Sequence, residues 1–527
     1  MSIKNAKPKN AASAVISGSL IIIAVSILAK FASFIAESVN AAYLGMDKRS
    51  DAFYMISSIQ EIIYPMLSIG ISKVFLPAYK RHISLGEDEK ANVLANRMMT
   101  FLALITVGVV ALLIIFARPV VSLIAVGFDD QTADLCADLI RISAPMYLFI
   151  IFAATYSAML QSRNRFFASK IREVVSHIPP ILCVILLYNR LGGERGLYAL
   201  AVSLVVGALC RLLIELPFVN WKYRYKPNFS FKDEEFRHVV VKLPPALITA
   251  GIAQINSLID KMMASTFEEG AISALHYGTK LNHVLSGLLS TAVATAFYPQ
   301  MIELITLDKK EELNRIITKI INIFCVLMIP VTIAGYMFSV PIIKVVYERG
   351  AFDASSTELT AGVFAFYCLG LLFYACSGIL TNVFYGHGNT KTPMIISLIT
   401  ITINIILNFV FSKLLGISGL ALATSVSGFI GIIIKFILCR KYVTINWKKE
   451  AFLVFRILVA SFAAIVPAYF ISGLIANKYL MLICAACVGI TLYLVLNYLL
   501  RIRVLSEVVS LVTKKLHKKR KKAAERE

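Results

Sequence analysis

Acid is what this chain has little of. It holds 31 Asp and Glu against 53 Lys and Arg, and charged residues of both signs make up only 16% of its 527 positions. Several chemistries are missing too: there is no glycine-rich phosphate loop, no HExxH helix and no GxSxG nucleophile elbow. The nine cysteines are scattered, and only Cys484 and Cys487 have metal-ligand spacing. That pair lies in an apolar stretch without His or acidic neighbours, which reads as packing. The chain is therefore not expected to be an enzyme, and no catalytic residue, organic cofactor or metal cluster is expected in it.

Apolar sequence is abundant. Hydrophobic residues make up 58% of the chain and mean hydropathy is +0.76. Runs long enough to cross about 30 Å of hydrocarbon recur along the whole length. The polar, basic start MSIKNAKPKN leads into a first run longer than a signal core, so it reads as a retained anchor. A long module is also stated twice. Pro77 recurs as Pro299, Pro119 as Pro341, and Gly196-Leu197 as Gly419-Leu420, at offsets of 222, 222 and 223. Each copy holds about six spans, an even number, so both copies enter the bilayer in the same orientation. The expected fold is all-α and polytopic, with 14 transmembrane helices: two parallel six-helix lobes around a central cavity plus two further helices. Such parallel repeats suit a transporter.

The net charge of +22 does not point to nucleic acid, because the basic residues alternate with the spans. Lys80, Arg81, Lys90 and Arg97 follow span 2; Arg163, Arg165, Lys170 and Arg172 follow span 4; Arg440, Lys441, Lys448 and Lys449 follow span 12. The intervening loops are poorer in base and often acidic, as at Asp129, Asp130, Glu268 and Glu269. This is the positive-inside pattern, and it places both termini in the cytoplasm. The expected organisation is an N-terminal lobe at 1–221, a cytoplasmic connector at 222–238 and a C-terminal lobe at 239–440. An extra helix pair at 441–500 and a basic tail at 501–527, resting on anionic lipid, complete it.

Polar residues inside the spans carry the functional signal, since charge in hydrocarbon is costly and normally faces a wet cavity or a partner. Lys30 and Glu37 lie seven residues apart on one face of span 1. Asp51 opens span 2, span 7 carries Gln254, Asn256, Asp260 and Lys261, and span 8 carries His276, Lys280 and His283. Lys30, Lys261 and Lys280 at depth suggest an anionic substrate head group, a phosphate or carboxylate. His276 and His283 read as packing histidines. Lys73, Arg141, Arg211, Lys344 and Lys435 lie near span ends and are expected to reach the interface. Asn404 and Asn408, one turn apart, with Thr424 fit either a monovalent-cation site or interhelical glue, and glue is favoured.

The stretches VVYERGAFDASSTELTA at 345–361 and LGLLFYACSGILTNVFYGHGNTKTP at 369–393, with SDAFY at 50–54 and QINSLIDKMMAS from Gln254, carry a resemblance. They resemble the MviN/MurJ-type lipid II flippase family of the multidrug/oligosaccharidyl-lipid/polysaccharide exporter superfamily, over about residues 14–510. The resemblance implies a bacterial cytoplasmic-membrane transporter. It would move undecaprenyl-pyrophosphate-linked peptidoglycan precursor to the outer leaflet by alternating access, alongside other cell wall synthesis proteins. It also implies a cationic cavity, with Lys30, Lys261 and Lys280 in the places of arginines and Asp51 matching the span 2 acid. Ala36 and Tyr64 stand where the family commonly has further arginines, and lysine lacks the planar fork that grips a pyrophosphate. Asn404, Asn408 and Thr424 align with a sodium site of some members, although Asn408 replaces a carboxylate there. Without a nucleotide-binding domain, the energy would come from the membrane potential or a coupling cation, Na+ or H+. The rival reading is a flippase for another undecaprenyl-linked glycan, such as a capsule or O-antigen unit. A drug/cation antiporter is a more distant one, since it would favour acids in the cavity.

Overall fold

The structure, a computed structural model, describes residues 9–219, 223–502 and 504. Most of the expected basic tail, with Lys4, Lys7 and Lys222, lies outside the described residues. Every regular element among the described residues is a helix. The chain divides into two compact units, one running to His276 and including Arg349–Asp353, the other formed by Tyr277–Glu348 and the described chain from Ala354 on.

The first unit contains α1 (Lys9–Leu44), α2 (Lys48–Ser84), α3 (Asp88–Ile115), α4 (Ala117–Ile124), α5 (Asp130–Ser143) and α6 (Met146–Ser162). It continues with α7 (Phe166–Val175), α8 (Ile178–Cys183), a π-turn, α9 (Asn189–Leu191), α10 (Gly193–Leu213) and α11 (Glu234–Ala264). Helix α12 (Ala271–Thr306) begins here and continues into the second unit. Beyond it lie α13 (Lys310–Met337), α14 (Ser339–Val346), α15 (Ala354–Cys368), α16 (Leu371–Gly386), α17 (Lys391–Leu415), α18 (Ile417–Cys439), α19 (Trp447–Ser472) and α20 (Lys478–Leu499).

The duplication is visible in helix boundaries. Helices α3 and α13 are both 28 residues long and α4 and α14 both 8, and each pair starts 222 residues apart, at 88 and 310 and at 117 and 339. Pro77 and Pro299 both lie inside helices, α2 and α12. Among the described residues ten helices are long and apolar enough to cross a membrane, and two bent pairs, α5 with α6 at 44° and α15 with α16 at 42°, raise the number to twelve. Helices α11 and α12, of 31 and 36 residues, are not among them. The expected fourteen is therefore not reached by this measure among the described residues. These two helices are where the polar residues of the second copy concentrate.

Side-chain caps explain where several helices begin. Asp47 and Ser50 form a reciprocal capping box at α2: Ser50 N–H donates to Asp47 at 2.9 Å and Asp47 N–H to Ser50 Oγ at 2.8 Å. Asp233 caps α11, accepting from Phe236 N–H. Asp129 caps α5 through Thr132 N–H at 2.9 Å and also accepts from Lys48 at 2.7 Å. The Lys48 ammonium, followed by the Thr132 donors, holds the Asp129 carboxyl well below the usual carboxylate range. The connector is fastened to α3: Tyr223 donates to Asn96 at 2.7 Å, Asn228 N–H to Thr100 at 3.0 Å, and Arg97 pairs with Asp233 at 2.6 Å. In the second unit α19 packs on α13, and Tyr493 of α20 donates to Val326 O at 2.7 Å.

The ERGAF stretch owes its composition to a close approach. Arg349 donates to Ser38 of α1, and Ala351 N–H donates to Ala42 O at 2.7 Å. The backbones come so near that a Cβ on Gly45 would lie 2.6 Å from Ala351 O. Gly350 sits at φ +60° against the Ala42 carbonyl, with no room for a side chain. Gly350→Ala is expected to destabilise the protein by roughly 2 kcal/mol or more through combined strain and collision. Thermal unfolding in detergent would measure it, with Gly388→Ala as control: that glycine has φ +72° but open space around it.

Candidate functional site

One group of buried polar residues in the first unit lies on α1, α2, α11 and the start of α12. Asp51, in the first turn of α2, is 5% exposed. Its carboxylate accepts from Gly270 N–H at 2.8 Å, Ser273 N–H at 2.8 Å and Ser273 Oγ–H at 2.6 Å. Those donors surround the beginning of α12, where free N–H groups and the helix dipole favour an anion. Next to it Ser50 and Ser273 share a hydroxyl hydrogen bond at 2.9 Å. His276 Nε2 lies 3.1 Å from Glu37 Oε2, and its ring stacks on Tyr54 with centroids 4.0 Å apart.

Ten residues further along α2, a rise of about 15 Å, Glu61 meets Lys261. Lys261 Nζ donates to Glu61 Oε2 at 3.3 Å, and the lysine side chain is 4% exposed. Lys261 thus pairs with an acid on another helix, and its neighbour Asp260 is buried beside it. Lys30 is half-buried on α1 and lies within electrostatic reach of Glu173 on α7. Gln254 and Asn256 are partly buried on α11, while Lys280, also partly buried, belongs to the second unit. The structure therefore gathers Glu37, Asp51, Asp260 and Lys261 in one unit and leaves Lys280 outside it.

Several participants went unnoticed in the sequence: Ser273 and Gly270 as donors to Asp51, Glu61 as the counter-ion of Lys261, and Ser38 as the partner of Arg349. One signal was available, since Asp51 and Ser273 are 222 residues apart and so occupy equivalent places in the two copies. A second basic cluster also emerges. Arg172, 5% exposed, donates to Ala153 O at 2.8 Å and lies 3.6 Å from the fully buried Glu215. The Arg211 guanidinium sits 4.4 Å from the ring centroid of Tyr64. Arg211, in the last turn of α10, thus packs on an aromatic ring of α2.

In the second unit Asn408 Nδ2 donates to Asn404 Oδ1 at 3.2 Å, and Asn404 Nδ2 to Thr424 Oγ1 at 3.1 Å. Thr424 in turn donates to Leu420 O at 3.1 Å. These bonds tie α17 to α18, and the three side chains contribute only neutral oxygens.

Residues 40–493 match the family described as MurJ, lipid II flippase. The chain belongs to the MurJ lipid II flippase family. Relatives described as probable lipid II flippase MurJ include one from Rickettsia prowazekii, 26% identical over 412 residues, 77% of this chain and 80% of that protein. Another, from Thermotoga maritima, is 26% identical over 487 residues, covering 91% and 95%. Among solved structures, one described as lipid II flippase MurJ in an inward closed conformation overlays with a TM-score of 0.78 at 23% identity, covering 92% of this chain and all of that one. An inward-facing multidrug resistance MATE family transporter of the MOP superfamily overlays with a TM-score of 0.61 at 13% identity, covering 80% and 97%. The likeness of the fold to these structures agrees with the expected all-α architecture, and the chain is an integral membrane protein of a transporter family.

The Asp51 clamp is open to a direct test. In a double-mutant cycle of Asp51→Asn and Ser273→Ala, thermal unfolding should yield a coupling of about 1–3 kcal/mol, as for a buried charge-assisted hydrogen bond. Additive effects would remove the clamp from the fold's energetics.

Proposed function

We propose that this chain moves lipid II, the undecaprenyl-pyrophosphate-linked peptidoglycan precursor, from the inner to the outer leaflet by alternating access, for cell wall synthesis. The observation that carries the reading is the MurJ family match over residues 40–493. The buried Lys261–Glu61 pair supports it. A cation at this depth is costly unless neutralised. Glu61 supplies that neutralisation when the site is empty, and a pyrophosphate would compete for the same ammonium. Lys30 would add a second positive charge, with Asp51, Glu37, Asp260, Gln254 and Asn256 as polar neighbours. Lys280 is retained as a third cation on the sequence alone. The cellular setting we propose is the bacterial cytoplasmic membrane with both termini inside, and no bond is made or broken in the substrate.

Depletion of the protein should cause lipid II to accumulate while its externally accessible pool falls. Wild type and Lys261→Arg should restore export, and Lys261→Met should reduce it by about tenfold or more, the cost of one charge-assisted contact. Normal wall synthesis with loss of a capsule or O-antigen would assign the chain to another undecaprenyl-linked glycan.

For energy coupling, the membrane potential is the simplest driver to propose. A sodium ion at Asn404, Asn408 and Thr424 would find no carboxylate among them, and hard cations prefer charged oxygen donors. Transport by protein reconstituted in liposomes is therefore expected to persist within about twofold when potassium replaces sodium, the span of a few tenths of a kcal/mol. A tenfold loss would instead establish a sodium site.

A further inference from the structure

Lys435 was expected to reach the membrane interface, yet it is 8% exposed. Its ammonium donates to Ser377 Oγ at 2.6 Å and to Thr381 Oγ1 at 2.9 Å, both on α16. Among the described residues no carboxylate lies within ion-pair distance of it. The two hydroxyls line a cavity of about 440 Å³, together with Asn382, Gly378, Tyr374 and Phe324. A Cβ on Gly378 would meet nothing within 4 Å, so the wall opens freely there.

The hydrogen bonds around the cavity give it a sign. Thr381 spends its proton on Ser377 O at 2.8 Å. Ser377 accepts from Lys435, which leaves its own proton for something in the cavity. Asn382 adds two amide donors with no described partner. Neutral donors thus line the wall, and an uncompensated cation stands directly behind them. In a low-dielectric setting that charge attracts an anion at the hydroxyls over several ångströms.

Depth narrows the ligand. Lys435 lies four residues before the end of α18 and Thr381 five before the end of α16, about 6 and 7.5 Å of helix rise. Beyond those ends come Arg440, Lys441 and Lys391. The cation thus lies near the boundary between hydrocarbon and head groups, on the face of this unit that carries basic loops. The cavity continues into the aromatic wall of Phe324 and Tyr374, which suits a ligand part ionic and part apolar.

We propose that this cavity binds the phosphodiester head group of an anionic phospholipid, with Ser377 and Asn382 donating to the phosphate and Lys435 supplying the charge behind them. The test uses the full-length protein in nanodiscs of equal phosphatidylglycerol and phosphatidylethanolamine, with retained lipid counted by native mass spectrometry after gentle delipidation. Wild type should retain phosphatidylglycerol preferentially. Lys435→Met should lower the retained ratio about fivefold and Lys435→Arg should preserve it, as expected for loss or retention of one buried charge. Ser377→Ala removes a single hydroxyl with little risk to folding and should lower the ratio about threefold. An unchanged ratio in Lys435→Met and Ser377→Ala would overturn the proposal and leave the lysine a structural pin. Displacement of the lipid by millimolar inorganic phosphate would also overturn it, by making the ligand a free anion.

Discussion

The carboxylate of Asp51 at the start of α12 is the constraint on which the polar centre of the first unit depends. Three donors converge on one buried acid, and two of them are backbone N–H groups around the first turn of a helix. Removing the acid would strand those donors in a dry place, at a cost of about 1–3 kcal/mol each. Their convergence also sets the position of α12, because His276 follows Ser273 by one turn and is thereby delivered to Glu37 and Tyr54. A single anion thus orders a hydroxyl pair, a histidine–glutamate contact and an aromatic stack.

Much of this could be read from the chain, for reasons of period and composition. Helices announce themselves by long apolar runs, and the duplication by prolines at fixed offsets, so the equal lengths and 222-residue spacing of α3 with α13 and α4 with α14 follow naturally. Lys261 could be marked because an ammonium in an apolar helix needs a reason. Its partner could not, because Glu61 lies 200 residues away and only tertiary packing joins them. The role of ERGAF was hidden in the same way: as sequence it is a recognisable string, whereas its glycine is explained only by the Ala42 carbonyl on another helix. For Lys435 the depth was legible and the contacts were not. Its place four residues from a helix end fits a snorkelling side chain, but two hydroxyls on the facing helix hold it inside.

Three cations packed inside the fold have different partners, and the partner bears on what each can do. Arg211 rests on the face of Tyr64 and donates to Ser176 Oγ at 3.1 Å. Lys261 faces a full carboxylate, which cancels its charge. Lys435 has only hydroxyls, which solvate a cation without cancelling it. Charge alone therefore does not rank these residues. The partner decides whether a site is structural, exchangeable or still in need of an anion.

The duplication itself explains why the copies had to diverge where they did. Equivalent positions meet: Asp51 contacts Ser273 and Tyr54 stacks on His276, each pair 222 residues apart, and Ser50 bonds Ser273 at a separation of 223. Had both copies kept an aspartate at the first of these places, two carboxylates would face each other at hydrogen-bond distance in a buried setting. Like charges there cannot both ionise without a heavy cost. Had both kept serine, the N–H groups at the start of α12 would have lost their anion. One acid against one hydroxyl satisfies both conditions. Asymmetry between the halves is thus required by the contact between equivalent residues, and the same break in symmetry leaves His276 opposite Tyr54 to reach Glu37 with its ring nitrogen. In a chain built by repeating itself, the places where the repeat touches its own image are where chemistry that differs between the halves can be expected.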